Sequence, residues 1–209
     1  MTYPGYFLVF EGGDGVGKST QVALLAEWLR SEEGGARSVL ETREPGGTPL
    51  GAELRSLLMH GDPVSPRAEA LLYAADRAEN VALVIRPALE RGDIVIQDRY
   101  LDSSIVYQGM ARGLGAGVEG ISMWAVDGLL PDLTVVLDMA PDPSRLGPKL
   151  DRLERELAES ADIVRGGFVE HSLLAPGRYA VIDAARPPEV VHADIRVAVA
   201  AALAGQEEA

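Results

Sequence analysis

The chain contains no cysteine. Disulfide staples and thiolate metal centres are excluded, and the redox compartment is left open. Histidine is also scarce: His60, His171 and His192 lie far apart, with no carboxylate spacing that would complete a metal cage, and each reads as a surface or helix-face residue. No apolar run approaches the ~18 residues that a membrane-spanning helix requires, so no membrane partner is expected. The apolar stretch at residues 6–10 is too short for the core of a signal peptide, and the chain is expected to be soluble and cytoplasmic. Positive charge is in short supply, with 19 lysines and arginines against 32 acids and a formal net charge of −13. A chain that tracks a nucleic-acid backbone carries a basic stripe; none is visible, and no nucleic-acid partner is expected. Any anion site must be assembled locally against this field, which makes each well-placed arginine informative.

What is present is 209 residues, 47% of them hydrophobic. That suits one domain over residues 1–209 with a sizeable core and a small lid. The chain centres on residues 7–20. An apolar run (Phe7, Leu8, Val9, Phe10) enters Gly12-Gly13-Asp14-Gly15-Val16-Gly17-Lys18-Ser19-Thr20, and a helical pattern follows at Val22, Leu25, Ala26 and Leu29. A glycine-rich turn between a strand and a helix is a phosphate-binding P-loop in its confirming context. The glycines let backbone N–H groups close around an anion at a helix N-terminus. Lys18 is expected to reach the β- and γ-phosphates, and the Ser19 hydroxyl to ligate Mg²⁺.

Further strands are expected at 38–41, 94–97, 133–137 and 179–182. Helical patterns separate them: a short one over 50–61, and a long one from the Ser65-Pro66 start to about residue 91 with a kink at Pro87. Others cover 103–111, 118–129 and 189–203, and residues 206–209 read as a frayed tail. Strands alternating with helices predict an α/β fold: a three-layer α/β/α P-loop NTPase architecture with a five-stranded parallel sheet and a short helical lid at 141–170. Ligands in such sheets sit beyond the carboxyl ends of the strands, where Asp98-Arg99 and Asp138 would gather beside the P-loop.

Asp98 there can hold hydrated Mg²⁺, and Arg99 can clamp a phosphoryl group bidentately; a strand-end salt bridge is the alternative. Tyr73 and Arg77, at i and i+4, project from one helix face and could take a nucleotide base and its phosphate, or be a core tyrosine and a solvated arginine. In the lid, Leu150, Leu153 and Leu157 form one stripe with Arg152 and Arg155 opposite, preceded by Arg145 and Lys149. A mobile basic lid and an ordinary surface helix both fit that spacing.

Taken together, these segments resemble the thymidylate kinase family of bacterial type. The resemblance rests on Phe10-Glu-Gly-Gly-Asp-Gly-Val-Gly-Lys-Ser-Thr20, Thr42-Arg-Glu-Pro-Gly-Gly-Thr48, Asp76-Arg77 and Asp98-Arg-Tyr-Leu-Asp-Ser-Ser-Ile-Val-Tyr-Gln-Gly109. Asp151-Arg-Leu-Glu154 and Val181-Ile-Asp-Ala184 add to it. It implies transfer of the ATP γ-phosphoryl group to dTMP with Mg²⁺, in a homodimer. It also implies that Asp14 contacts the acceptor ribose or the metal site, and that Glu44 and Pro45, the latter after a cis bond, shape the acceptor pocket. Tyr73 takes the position of the aromatic that stacks on thymine. Arg77 and Arg99 would hold the acceptor phosphate, Ser103, Ser104 and Gln108 would line the base and sugar pocket with Gln108 reading the pyrimidine edge, and Arg186 would lie beside adenine. The P-loop carries no arginine between its glycines, so the catalytic cation would come from the lid, from Arg152 or Arg155. The lid departs from the family pattern in its short leader and its single later arginine, Arg165. Gln97 stands where small residues are common. A kinase for another nucleoside monophosphate, or a nucleotide-binding regulatory or scaffold protein with an impaired lid, are the alternatives.

Overall fold

Residues 6–11 are apolar at every position but the last, which suits a strand covered on both faces. That strand is β1 (Tyr6–Glu11), and all six of its residues are buried. The computed structural model describes residues 3–146, 155 and 158–207. It places β1 at the centre of a five-stranded sheet with β2 (Val39–Arg43), β3 (Ile94–Asp98), β4 (Leu133–Asp138) and β5 (Tyr179–Asp183), in the order β2-β3-β1-β4-β5. Every pairing is parallel. In register, Phe10 faces Asp98, Arg43 faces Asp98, and Asp138 faces Asp183. Charged residues thus end the strands along one edge, as expected.

Successive side chains of a strand point to opposite faces, and the two layers follow from that. Tyr6, Leu8 and Phe10 pack with Leu25 and Leu29 of α1 (Lys18–Arg30) and with residues that end in Ile195 and Val199. Phe7 and Val9 point the other way, onto Ile85, Leu89, Tyr100 and Leu129. Helices α2 (Pro49–His60), α3 (Pro66–Asn80), α4 (Arg86–Glu90), α5 (Leu101–Ser104) and α6 (Gly117–Val126) follow α1 in the chain. A smaller cluster joins Val136 of β4 and Val106 to Val164 and Phe168 of α7 (Ala161–Ser172). The last helix is α8 (Pro188–Glu207).

Local chemistry sets the helix ends. Thr48 caps α2 by accepting from the Gly51 N–H at 2.9 Å, and Ser65 caps α3 ahead of Pro66. The break expected at Pro87 takes a different form: a π turn, Val81–Ile85, separates α3 from α4. Proline offers no N–H and its ring crowds the carbonyl four residues earlier, and a widened turn just before it relieves that crowding. A second π turn, Ile105–Ala111, extends α5. The tail expected to fray is helical through Glu207, and the Gln206 amide donates to the Gly5 carbonyl at 3.3 Å.

Within the lid segment, a 3-10 turn spans Pro143–Arg145 and another Ala158–Ser160. Arg152, Lys149 and the Leu150, Leu153 and Leu157 stripe lie outside the described residues, whereas Arg155 is helical and exposed. Among the described residues no helix is long and apolar enough to cross a membrane.

Candidate active site

Beyond β1 the chain turns at Gly12, whose φ of 136° suits glycine and where a Cβ would lie 2.6 Å from the Leu137 carbonyl. Gly17 caps α1 with a left-handed backbone and no side chain, and the first turn of α1 carries no acid. The orphan N–H groups and the positive helix end are left for an anion. Lys18 is buried and folds along the loop, donating to the carbonyls of Gly12 (3.1 Å) and Gly13 (2.6 Å). Burial first, and then the Arg99 charge, push its ammonium down to about 8. Bound phosphate would supply the counter-charge that these surroundings leave short. Val16 turns into the core beneath the loop.

Asp98 ends β3 beside this loop. Its Oδ2 accepts from the Ser19 hydroxyl at 3.2 Å, while its Oδ1 is buried without a hydrogen-bond partner. A carboxylate oxygen without a partner next to a hydroxyl is a hard oxygen donor set, which fits Mg²⁺.

Arg99 follows with φ 66°, a left-handed conformation uncommon outside glycine and often found at functional sites. Its backbone is held at both ends: Arg99 N–H donates to the Phe10 carbonyl (2.9 Å) and its carbonyl accepts from Gln97 Nε2 (2.7 Å). Gln97 Oε1 in turn accepts from Asn80 Nδ2 (3.1 Å), and Asn80 Oδ1 from the Thr42 hydroxyl (3.1 Å). The Arg99 guanidinium donates to the Gly12 carbonyl (3.1 Å), Ser103 Oγ (3.1 Å) and Asp14 Oδ1 (2.5 Å), and lies 5.1 Å from the Tyr107 ring centroid. Tyr107 donates to the other Asp14 oxygen at 2.9 Å. Burial works to raise the Asp14 carboxyl, but the Arg99 and Lys18 charges and the tyrosine bond outweigh it and hold it below its ordinary value.

Glu11 is the buried anchor of this arrangement. It accepts from the Tyr100 N–H (2.8 Å), the Ser103 N–H (3.1 Å) and the Ser103 hydroxyl (2.6 Å). Burial, with the Asp102 charge adding to it, pushes its carboxyl up to about 7.

The side expected to take the acceptor begins at the cis Glu44-Pro45 bond. Asp76 accepts from the Gly46 N–H at 3.0 Å and so ties α3 to the turn after β2. Arg77, expected to hold the acceptor phosphate, follows Asp76 on α3. It is 1% exposed, and its guanidinium donates to Glu44 Oε2 (2.8 Å), Ser122 Oγ (3.3 Å), the Tyr100 carbonyl (2.9 Å) and Ser104 Oγ (3.1 Å). Burial pushes Glu44 up to about 7, although the Arg77 charge pulls the other way.

A cavity of about 460 Å³ joins the two sides. Asp14, Gly15, Gly17, Lys18, Ser19, Thr20, Glu44, Asp98 and Arg99 line it, together with Arg43, Arg55 and Arg145. The last three escaped the sequence reading of the acceptor and donor contacts. Arg43 lies within the Thr42–Thr48 motif, which gives it no role of its own; Arg55 belongs to the polar side of α2, where spacing carries no signal; Arg145 precedes the helical stripe that singles out Arg152 and Arg155. Glu11 and Tyr107 likewise stand inside their motifs with no role that the sequence assigns. Of the remaining expected residues, Ser103 joins Arg99 to Glu11, Gln108 donates to Glu69 at 3.1 Å, and Tyr73 is half-buried on α3. Arg186 pairs with Asp194 at 2.6 Å, and the neighbouring Ala184 N–H donates to the Asp138 carbonyl. His171, expected at a surface or helix face, lies 3.3 Å from Asp102 and is largely covered.

Residues 10–195 match the family model for thymidylate kinase. A thymidylate kinase of Leifsonia xyli subsp. xyli is 56% identical over 202 residues, covering 92% of this chain and 93% of that one. The thymidylate kinase of Clavibacter michiganensis subsp. michiganensis is 51% identical over 207 residues, covering 96% and 97%. Among solved structures, the thymidylate kinase of Ehrlichia chaffeensis superposes with a TM-score of 0.79 at 32% identity, over 93% of this chain and 98% of that one. With the family model and these relatives spanning nearly its whole length, the chain belongs to the thymidylate kinase family.

Proposed function

We propose that the chain transfers the γ-phosphoryl group of ATP to dTMP, giving ADP and dTDP. The observation that carries this reading is Arg99, held with an unusual backbone at the end of β3, with its guanidinium on the P-loop carbonyl of Gly12 and on Asp14. Donor and acceptor phosphates brought into the 460 Å³ cavity would meet between Lys18 and Arg99. Phosphoryl transfer asks little covalent chemistry of the protein, so positioning and charge neutralisation do most of it.

Roles follow from this placement. Residues 12–20 cradle the donor phosphates by their N–H groups, and Lys18 follows the charge that moves onto the β-phosphate. Ser19 and Asp98 would hold Mg²⁺, which when bound supplies charge neutralisation across the donor phosphates. Arg99 clamps the acceptor phosphate, assisted by Arg43 and Arg55. Arg77 acts from behind, holding Glu44 and Ser104 where the acceptor nucleoside lies, with Pro45 as floor and Tyr73 as stacking wall. Residues 141–170 act as a lid within one domain of residues 1–209, with Arg152 and Arg155 delivering positive charge and Arg145 already over the donor side.

The active form is a homodimer. Supporting this, α2 and α6 both pack on α3, and together with the π turn after it they expose Leu57, Leu71, Leu83 and Trp124, the last 83% exposed. Exposed apolar side chains of this size on neighbouring elements mark an association surface. A cytoplasmic setting suits a kinase that draws on ATP.

Release of ADP from ATP and Mg²⁺, followed over a panel of nucleoside monophosphates and nucleosides, tests the substrate. Stimulation by dTMP above the others is the expected result. Stimulation by a different acceptor alone would overturn the acceptor assignment, and tight ATP binding with no release would favour a regulatory protein.

A further inference from the structure

Side chains at two places on α3, two helical turns apart, cross-link it to the segment after β3. At one, Arg77 donates to Ser104 Oγ at 3.1 Å; at the other, Gln108 Nε2 donates to Glu69 Oε1 at 3.1 Å. Tyr73 sits on α3 midway between Glu69 and Arg77, four residues from each, and Ser104 precedes Gln108 by four. The two cross-links therefore frame the wall on which a base would stack. Glu69 is 1% exposed and Gln108 3% exposed, so neither side chain is free to sample many rotamers. Arg112 grips the same carboxylate, its Nε 3.3 Å from Oε1 and its NH2 3.0 Å from Oε2.

A carboxamide presents a donor from one side and an acceptor from the other, and a half-rotation exchanges them at no cost in shape. An ionised carboxylate has only lone pairs to offer, so the face of Gln108 toward Glu69 must be Nε2. The opposite face is then Oε1, an acceptor.

We propose that Glu69, fixed by Arg112, is a positioning residue that sets the orientation of the Gln108 amide and thereby selects acceptor nucleotides whose base carries a ring N–H. The inference rests on the proposed function and on the family resemblance, which implies that Gln108 reads the pyrimidine edge. A pyrimidine-2,4-dione such as thymine or uracil offers N3–H to Oε1. Cytosine has a lone pair at that ring position and meets the oxygen with repulsion. Such a site rejects the wrong base through an unpaired buried polar group, which discriminates far better than a missing methyl.

The test compares dTMP with dCMP as acceptors in the full-length wild type and in Glu69→Gln, with kcat and KM measured separately. Glu69→Gln keeps the shape but can donate as well as accept, and so lets the Gln108 amide turn over. The expected result is a fall of about tenfold or more in the ratio of kcat/KM for dTMP to that for dCMP, carried by KM for the monophosphate, with KM for ATP unchanged. A purely structural role would lower both acceptors by the same factor, and an unchanged ratio would overturn the inference. If Glu69→Gln does not fold, Arg112→Gln at the rim releases the carboxylate from its fixed orientation and is expected to lower the ratio by about threefold; no change there overturns the inference equally. Wild-type protein that phosphorylates dTMP with undiminished selectivity in the variants refutes only this device. Wild-type protein that does not prefer dTMP to dCMP refutes the substrate reading and the device with it.

Discussion

Gln97 Nε2 donates to the backbone carbonyl of Arg99 at 2.7 Å, from a side chain that is wholly buried. Gln97, which stands where small residues are common, thus holds the left-handed backbone of the residue proposed to clamp phosphate. Gln97→Leu is isosteric enough to fill the space but takes from the Arg99 carbonyl the Gln97 donor and from Asn80 Nδ2 one of its two acceptors, Glu44 Oε1 remaining. Two polar groups lose a buried bond, so a destabilisation of about 2–4 kcal/mol is expected, together with a fall in kcat larger than the change in ATP affinity. Thermal unfolding and steady-state kinetics read the two effects.

Arg99→Ala removes the proposed clamp itself. At about 2–4 kcal/mol for a buried charge-assisted contact, kcat/KM for dTMP should drop by roughly 30- to 1000-fold. An enzyme with wild-type kinetics after this change would refute the role assigned to Arg99.

The lid cations separate by their own substitutions. Arg145 lies at the cavity beside Gly15 and Gly17, so Arg145→Ala should raise KM for ATP several-fold, by about 1 kcal/mol of donor binding. Arg152→Ala and Arg155→Ala should lower kcat while leaving ground-state binding nearly intact. If both leave kcat unchanged, the catalytic cation lies elsewhere, and Arg145 is the next residue to test.

His171 gives a pH dependence. A hydrogen bond from the side chain to Asp102 raises its pKa above 6.5, more than its partial burial lowers it, with Glu119 adding to the rise and Arg178 opposing it. Tyr179 donates to the other Asp102 oxygen at 3.0 Å. A histidine with a raised folded-state pKa contributes its stability in full below 6.5 and loses it as pH rises through the raised value. The melting temperature of the wild type should therefore fall over the window just above pH 6.5, and His171→Gln should flatten that part of the profile. Equal slopes in the two proteins would show that the pair does not hold α7 in place.

The strands and the P-loop were legible because their signals are local. Residues 6–11 and 133–138 are apolar runs of strand length bounded by charge, and the glycines of 12–17 stand beside Lys18 in sequence. Ser65-Pro66 marked a helix start for the same reason. The π turn at Val81–Ile85 was not legible, since a widened turn leaves no pattern beyond the proline that follows it. The burial of Arg77 was not legible because periodicity gives the face of a helix but not what covers it; Glu44, 33 residues earlier, arrives only through the parallel sheet. Arg55 was missed for the same reason, being one of several polar residues on α2 until the Pro45 carbonyl is brought within 3.0 Å of it.

The central claim is that phosphoryl passes from ATP to dTMP within one cavity. The most direct test follows the γ-phosphorus of ATP by phosphorus-31 NMR in the presence of Mg²⁺ and dTMP. The account predicts that dTDP and ADP appear together in equal amounts, and that neither forms in Arg99→Ala on the same timescale. Inorganic phosphate in place of dTDP, or ADP formed at the same rate without dTMP, would contradict it.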